Sequence, residues 1–176
     1  FLILISVIIV GYAVSVTTEF LLSRNNLNEL RRKQALKHIQ GMENHIIVCG
    51  YGRNGKQAVD KLRDYKQEYI IIEQDQQVID DCGLDNINFV RGNANEDEVL
   101  IKAGIEKAST LITALPEDAD NLFVVLSARQ LNKNLKIISR ATEDSSYKKL
   151  KLAGADNVIL PDTIGGQHMA SLIVSP

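Results

Sequence analysis

The sequence has 176 residues, a formal net charge of −2 and 45% hydrophobic residues, values typical of one globular domain of roughly 100–200 residues. Lys and Arg are balanced by Asp and Glu, which argues against a nucleic-acid-binding surface. Cys49, Cys82 and the three histidines lack the spacing of metal ligands, so we predict no metal site.

The N-terminal residues 1–23 predict a transmembrane helix. Glu19 is their one charged residue, and about 20 apolar residues suffice to cross roughly 30 Å of hydrocarbon. A basic linker, residues 24–43, follows and places the rest of the chain in the cytoplasm by the positive-inside rule. The alternative is a buried soluble helix. Because the chain begins at Phe1, at the edge of the apolar run, we expect it to be part of a longer protein.

Residues 44–176 alternate short β-branched runs with longer amphipathic stretches, which predicts a parallel sheet with crossover helices. The predicted strands are Ile46–Cys49, Tyr69–Glu73, Asn88–Arg91, Thr110–Thr113, Lys136–Ser139 and Asn157–Leu160. The predicted helices are Asn54–Asp64, Gln76–Cys82, Glu96–Ala103, Asp118–Gln130, Ser145–Ala153 and a last one over Gly165–Val174. Gly83, Gly104 and Gly154 are expected to end helices, and Asp118 to cap one. The pattern predicts an α/β fold, a Rossmann-like doubly wound sheet that binds ligands beyond the carboxyl ends of its strands.

The first predicted strand runs directly into Gly50-Tyr51-Gly52-Arg53-Asn54-Gly55, which spells G-x-G-x-x-G. In this motif the glycines permit a tight turn, close approach of a pyrophosphate and packing of the helix on the strand. The helix from Asn54 then presents its free amides to the phosphates. The letters Gly50-Tyr51-Gly52 also occur in potassium-channel filters, but here neither a preceding Thr-Val nor a pore helix accompanies them.

Glu73 ends the second predicted strand, about 20 residues after the glycines, where a carboxylate can accept hydrogen bonds from ribose hydroxyls. The same charge would repel the 2′-phosphate of NADP. We therefore predict binding of an adenine nucleotide. NAD(H) is favoured, and ADP, ATP and AMP remain open because all of them share the adenosine half.

Several motifs in order resemble the RCK domain (regulator of potassium conductance), also called KTN, of prokaryotic potassium channels and transport regulators. Those motifs are Ile46–Gly55, Gly92-Asn93-Ala94, Leu115–Asn121, Ile138–Ala141 and Lys151–Asp156. The N-terminal helix is similar to the inner pore helix of two-helix potassium channels, in which a glycine such as Gly11 acts as a bending point. Close helix packing explains Gly11 equally well.

The motif and the resemblance together imply a set of nucleotide-binding residues: Gly50, Tyr51, Gly52, Arg53, Asn54, Gly55, Glu73, Gln74, Asp75, Asn93, Ala94, Ala114, Leu115 and Arg140. By resemblance, Arg53 and Arg140 meet phosphates, although a surface salt bridge explains Arg53 as well. Asp75 is interpreted as a helix cap. Asn93 replaces the aspartate that the family carries near the adenine, so base contacts stay open.

Some RCK domains bind calcium through carboxylates at the ends of the fourth and fifth strands. The matching positions here are Ala114, Arg140 and Thr142, none of which supplies an anionic oxygen. We therefore expect no calcium at that site.

The resemblance implies a ligand-gated potassium channel subunit in a prokaryotic plasma membrane, not an enzyme. Its partners would be potassium ions, held by pore residues outside this chain, an adenine nucleotide, and further copies of itself in a tetramer with paired RCK lobes in a ring. Two alternatives stay open: the regulatory domain of a potassium uptake or efflux transporter, and a fragment of an NAD-dependent oxidoreductase.

Overall fold

The computed structural model describes residues 2–82 and 88–174. Over these residues the strands are β1 (Ile46–Cys49), β2 (Tyr69–Glu73), β3 (Asn88–Arg91), β4 (Thr110–Thr113), β5 (Lys136–Arg140) and β6 (Asn157–Ile159). The helices are α1 (Leu2–Gly41), α2 (Arg53–Asp64), α3 (Gln76–Asp81), α4 (Asp97–Lys102), α5 (Asp118–Leu131), α6 (Asp144–Ala153) and α7 (Pro161–Val174).

All strand pairs are parallel, in the order β3-β2-β1-β4-β5-β6. Strand β1 lies between β2 and β4, and its Val48 pairs with Ile71 on one side and Ile112 on the other. The strand order therefore reverses beside β1, which places the topological switch point at the glycine-rich turn that follows it. The predicted doubly wound Rossmann-type sheet is confirmed.

Both faces of the sheet are covered, which explains why its strands read as continuous hydrophobic runs. On one face, Ile47 and Cys49 belong to a large cluster that includes Leu111, Val124 and other buried residues. On the other face, Val48 packs in a smaller cluster with Tyr51, Val59 and Ile71. Burial in the larger cluster raises the pKa of the Cys49 thiol to about 12, so it is a structural residue rather than a nucleophile.

Most predicted boundaries lie within one residue of the observed ones, with exceptions near the C-terminus. Helix α7 begins at Pro161 instead of Gly165, because proline is favoured at the first helical position. The predicted helix end at Gly83 lies outside the described residues. The predicted cap at Asp118 is wrong: Glu117 is the N-cap of α5, and Asp118 is the first helical residue.

Helix α1 continues to Gly41, so the backbone of the predicted linker is helical over almost all its length. The chain divides into two compact units between Lys37 and His38. In the second unit, Ile39 and Met42 are 1% and 5% exposed and belong to the larger core cluster. Within the described residues, no helix is both long enough and apolar enough to span a membrane. The spanning helix stays a prediction.

Candidate nucleotide-binding site

The glycine-rich turn between β1 and α2 requires glycine at two of its three positions. Gly50 has a φ of +89°, and a methyl group there would lie 3.0 Å from Leu115 Cδ2 and 3.4 Å from the carbonyl oxygen of Ala114. A methyl group at Gly55 would overlap the carbonyl oxygen of Gly50. At Gly52 it would meet nothing within 4 Å. Gly50 and Gly55 therefore shape the turn, whereas Gly52 leaves open space in front of it.

Helix α2 starts at Arg53 with Gly52 as its N-cap, and no side chain caps it. The first amide to bond back to the N-cap is that of Lys56, which donates to the carbonyl of Gly52 at 2.8 Å. The N–H groups of Arg53, Asn54 and Gly55 precede it and have no partner within the helix. These amides and the helix dipole together form a site suited to a phosphate.

The Glu73 carboxylate lies against the glycine-rich turn. Its Oε2 accepts a hydrogen bond from the backbone N–H of Tyr51 at 2.8 Å. Its Oε1 accepts from the N–H groups of Gln74 and Asp75 at 2.8 and 3.0 Å. A carboxylate has about four lone-pair positions, so roughly one remains for a ligand hydroxyl. Asp75 accepts from the N–H of Gln77 at 2.8 Å as the N-cap of α3, in agreement with its predicted role.

Tyr51 fills space beneath the turn instead of facing a ligand. Its side chain is 8% exposed, and its ring meets that of Phe89 edge to face with centroids 5.6 Å apart. A cleft of about 370 Å³ lies next to it, lined by Tyr51, Lys56, Asp60, Arg63, Val78, Asp81 and Cys82. Apart from Tyr51, its lining residues belong to α2 and to α3 and the residue that follows it. Only the backbone of Tyr51 belongs to the candidate nucleotide site.

The carboxyl end of β3 brings Asn93 and Ala94 next to β2. The N–H of Gly92 donates to the carbonyl of Glu73 at 3.0 Å. Asn93 Oδ1 accepts from the N–H of Asn95 at 3.0 Å, and Ala94 is 4% exposed. Asn93 therefore stands at the rim of the site and Ala94 beneath it.

Asn121, which sequence analysis did not single out as a site residue, holds the loop after β4. It is fully buried, and its Oδ1 accepts from the Thr113 hydroxyl at 2.6 Å and from the Leu115 N–H at 3.0 Å. Its Nδ2 donates to the carbonyl of Leu115 at 3.0 Å. These bonds position Ala114 and Leu115 against Gly50. The available signal was a polar residue directly before the apolar run Leu122–Leu126 of α5.

The two candidate arginines differ in their surroundings. Arg140 Nη1 donates to the carbonyls of Leu115 and Pro116 at 2.9 and 3.3 Å, and its Nε is buried without a partner among the described residues. Arg53 is exposed at the start of α2. Arg140 thus braces the β4 loop, and Arg53 is placed where it can reach a phosphate.

Asp118 binds the backbone just before α6 rather than capping its own helix. Its carboxylate accepts from the backbone N–H groups of Thr142 and Glu143 at 2.8 and 3.1 Å. Burial acts to raise the pKa of Asp118, but hydrogen bonds from Ser146, Glu143 and Thr142 outweigh it and hold the pKa below its usual value. This corrects the predicted role of Asp118. Its partners lie about 25 residues further along the chain, and the local pattern around Asp118 does not reveal them.

Sequence analysis predicts that no calcium binds at the carboxyl ends of β4 and β5. Ala114, Arg140 and Thr142 occupy the strand ends there, as the sequence implied. In the part of the chain that the structure describes, no three His, Cys, Asp or Glu side chains form a group that could hold a metal ion. The absence of calcium stays a prediction.

A parallel sheet with a glycine-rich turn at its switch point, an uncapped helix N-terminus and an acid at the end of β2 defines a Rossmann-type nucleotide-binding domain. Residues 46–161 match the family model described as "TrkA-N domain". The chain therefore belongs to the TrkA-N, or RCK, domain family, and the resemblance seen in its motifs is confirmed.

The relatives that carry this domain include potassium channels and potassium-efflux proteins. "Probable potassium channel protein 2" of Methanocaldococcus jannaschii is 39% identical over 96% of this chain and 50% of its own length. The "Glutathione-regulated potassium-efflux system protein KefC" of an Enterobacter strain is 29% identical over 77% of this chain and 22% of its own length. The chain thus spans about half the length of the channel relative.

Solved structures share the fold. The TrkA-N domain of the inner membrane protein YbaL from Escherichia coli has a TM-score of 0.72 and 29% identity, covering 75% of this chain and 98% of its own. The GsuK protein bound to ADP has a TM-score of 0.65 and 27% identity, over 80% and 37% of the two chains. The GsuK channel bound to NAD, at 24% identity, a TM-score of 0.62 and 69% and 22% coverage, supports the fold alone.

Proposed function

We propose that this chain is the nucleotide-sensing part of a ligand-gated potassium channel subunit. The observation that carries the proposal is the carboxylate of Glu73 bonded to the turn residue Tyr51, at 2.8 Å, directly beside the uncapped N-terminus of α2. An acid and an anion site at this spacing suit one ligand class, a nucleotide with a phosphate and free ribose hydroxyls.

The described residues fit such a ligand. The open space in front of Gly52 admits a pyrophosphate, and the amides that begin α2 face it. Glu73 has acceptor capacity left for a ribose hydroxyl, and its charge disfavours a 2′-phosphate. We propose that this ligand is an adenine nucleotide, with NAD(H) preferred over NADP and with ADP, ATP and AMP as competitors. The ADP-bound GsuK relative supports this class.

The route from the site to a pore runs through the end of α1. Ile39 and Met42 are buried in the core, and the N–H of Asn44 donates to the carbonyl of Lys107 at 2.9 Å. The last turn of α1 thus moves with the domain. Coupling of about 1–3 kcal/mol is enough for useful regulation, provided the nucleotide binds the open and closed states with different affinities.

The rest of the proposal follows the similarity to channel relatives. Residues 1–23 form an inner pore helix in a prokaryotic plasma membrane, residues 24–43 link it to the domain, and residues 44–176 lie in the cytoplasm. Four subunits form the pore, paired RCK lobes form a ring below it, and potassium ions pass through pore residues outside this chain. The domain acts by binding and not by catalysis.

Two measurements test the proposal. Calorimetric titration of this chain with NADH, NAD, NADP, ADP and ATP, with and without calcium, should show binding of at least one adenine nucleotide and weaker binding of NADP. The open probability of the whole subunit in planar bilayers should then change with the nucleotide that binds. An absence of heat with every nucleotide contradicts the sensing role, and binding with unchanged open probability contradicts gating.

A second candidate is the regulatory domain of a potassium-efflux transporter, which the similarity to KefC favours. Bilayer recordings separate the two, because a channel shows unitary currents and a transporter does not. An oxidoreductase fragment has no comparable support. Steady consumption of NADH by the chain in the presence of reducible substrates would contradict the non-enzymatic role.

A further inference from the structure

The loop between α4 and β4, residues 103–109, holds the chain where it passes from α1 into β1. The carbonyl of Lys107 accepts from the backbone N–H of Asn44 at 2.9 Å. His45 Nε2 donates to the carbonyl of Ala103 at 2.9 Å, since a carbonyl oxygen can only accept. Two positions of one loop therefore fasten the residues that follow α1.

The same loop packs against the last turn of α1. Ile39 in that turn and His45 are each 1% exposed. Gly104 has a φ of +76°, and a methyl group there would lie 3.1 Å from His45 Cε1 and 3.9 Å from the carbonyl oxygen of Ile39. The backbone of the loop thus lies against both residues. Because such close packing leaves no free space, a displacement of the loop also displaces the end of α1.

Asn132, the C-cap residue of α5, binds this loop through its side-chain amide. Its Nδ2 donates to the carbonyls of Ile105 and Ala108 at 2.9 and 3.3 Å. Both partners are carbonyl oxygens, so only the NH2 group of the amide can face them. Its Oδ1 accepts from the backbone N–H of Asn134 at 3.0 Å. The C-terminal end of α5 is therefore fastened to the loop that holds α1.

The opposite end of α5 reaches the candidate nucleotide site. Asn121, in its first turn, bonds to the backbone of Leu115, which lies against Gly50 of the glycine-rich turn. Between the two asparagines the helix is anchored in the larger core cluster by three fully buried residues, Val124, Val125 and Ala128. The asparagines are about 16 Å apart along the helix at 1.5 Å per residue. A hydrogen-bonded helix is stiff over this length, so a shift at one end reaches the other.

We propose that α5 transmits nucleotide binding to the end of α1 and that Asn132 is the positioning residue through which it acts. The inference rests on the nucleotide-sensing function proposed above and adds the route of its regulation. A nucleotide that fixes Gly50 and Leu115 in one arrangement sets the position of α5. The amide of Asn132 then carries that position to the loop 103–109, and the loop carries it to Ile39 and Asn44.

The Asn44 amide reports on this route, because its hydrogen bond joins the chain after α1 to the loop 103–109. Its hydrogen-exchange rate is measured by NMR with and without saturating ADP, or NADH if that nucleotide binds more tightly. In the unaltered chain the nucleotide should change this rate by at least about fivefold, the lower limit of useful coupling between two sites.

Asn132→Ala should bind the nucleotide with unchanged affinity in calorimetric titration, and the change in the Asn44 exchange rate should disappear. A merely structural role of Asn132 would alter the rate equally with and without nucleotide. Asn134→Ala is the matched control, since Asn134 is exposed and its backbone N–H, which bonds to Asn132, is kept. This control should retain both the affinity and the change in rate.

Asn132→Asp keeps an acceptor for the Asn134 N–H and lacks the donor, so it replaces the alanine variant if that variant does not fold. Three results overturn this inference and leave nucleotide binding intact: an Asn44 rate that the nucleotide does not change in the unaltered chain, a full change in the Asn132 variant, or a loss of nucleotide affinity in that variant. Binding of neither ADP nor NADH to the unaltered chain overturns the proposed function together with this inference.

Discussion

Glu73 Oε2 accepts a hydrogen bond from the backbone N–H of Tyr51 at 2.8 Å, although the two residues are 22 positions apart in the chain. The bond ties the end of β2 to the turn that follows β1. The acid expected to bind ribose therefore also holds the phosphate turn in place. A ligand that contacts Glu73 acts on both parts of the site at once.

Glu73→Gln should weaken ADP binding by about 10- to 100-fold, because a charge-assisted hydrogen bond contributes about 1.5–3 kcal/mol. The preference for NAD over NADP should fall as well, since the repulsive charge is gone. Calorimetric titration measures both. Glu68→Gln, an exposed residue just before β2, makes the same charge change at the opposite end of the strand and should leave the affinities unchanged. If Glu73→Gln bound ADP, NAD and NADP as tightly as the unaltered chain does, Glu73 would not belong to the binding site.

Two glycine substitutions in one turn should have opposite consequences. Gly52→Ala adds a methyl group in open space at a φ of −73°, so the unfolding free energy should fall by no more than about 1 kcal/mol, the cost of alanine in place of glycine at an N-cap. The same methyl group occupies the approach of a phosphate, and nucleotide affinity should drop at least tenfold.

Gly55→Ala instead places a methyl group against the carbonyl oxygen of Gly50 and should cost about 1–3 kcal/mol of stability. Urea denaturation of both variants measures the change in stability, and calorimetric titration measures the change in nucleotide affinity. If Gly52→Ala bound nucleotide normally, the phosphate would have to lie elsewhere.

Asn121→Ala should lower the unfolding free energy by about 2–4 kcal/mol, because it leaves the Thr113 hydroxyl and the backbone of Leu115 without buried partners. Urea denaturation measures the loss. Asn134→Ala, at an exposed position, should cost less than about 0.5 kcal/mol. Similar urea denaturation midpoints for Asn121→Ala and Asn134→Ala would mean that Asn121 does not stabilise the loop after β4.

Asp118 should make stability depend on acid pH. Its pKa lies below the usual value of 3.8 in the folded chain, so the unfolded chain binds a proton first as the pH falls. The stabilisation is therefore complete above about pH 5 and is lost as the pH drops through the folded pKa.

At pH 7, Asp118→Asn should be less stable than the unaltered chain by about 0.3–1 kcal/mol, and the gap should close as the pH falls below the lowered pKa of folded Asp118. Denaturation in urea at a series of pH values measures the gap. Asp64→Asn, at an exposed site with a weak ion pair to Lys61, should show no such convergence. A gap that stays constant with pH would show that the Asp118 charge does not stabilise α6.

The fold was largely predictable from local patterns. β-Branched runs located the strands within one residue, because strands buried on both faces have no polar positions to interrupt the run. The glycine spacing located the turn, since Gly55 meets the carbonyl of Gly50 five residues earlier, whereas Gly50 meets Ala114 and Leu115 from the loop after β4. The partners of Arg140 and Asp118 were not predictable, because they lie 24 or 25 residues away on other elements.

The sequence by itself determined the strand, the glycine turn, the helix and the acid that make this a nucleotide-binding domain, and its motifs determined the family. Those features depend on backbone geometry and burial, which neighbouring residues control. Only the tertiary structure decided that Glu73 bonds to the turn and that Asn121 holds the β4 loop. A polar side chain takes its role from the partner it meets, and folding brings that partner to it from another part of the chain.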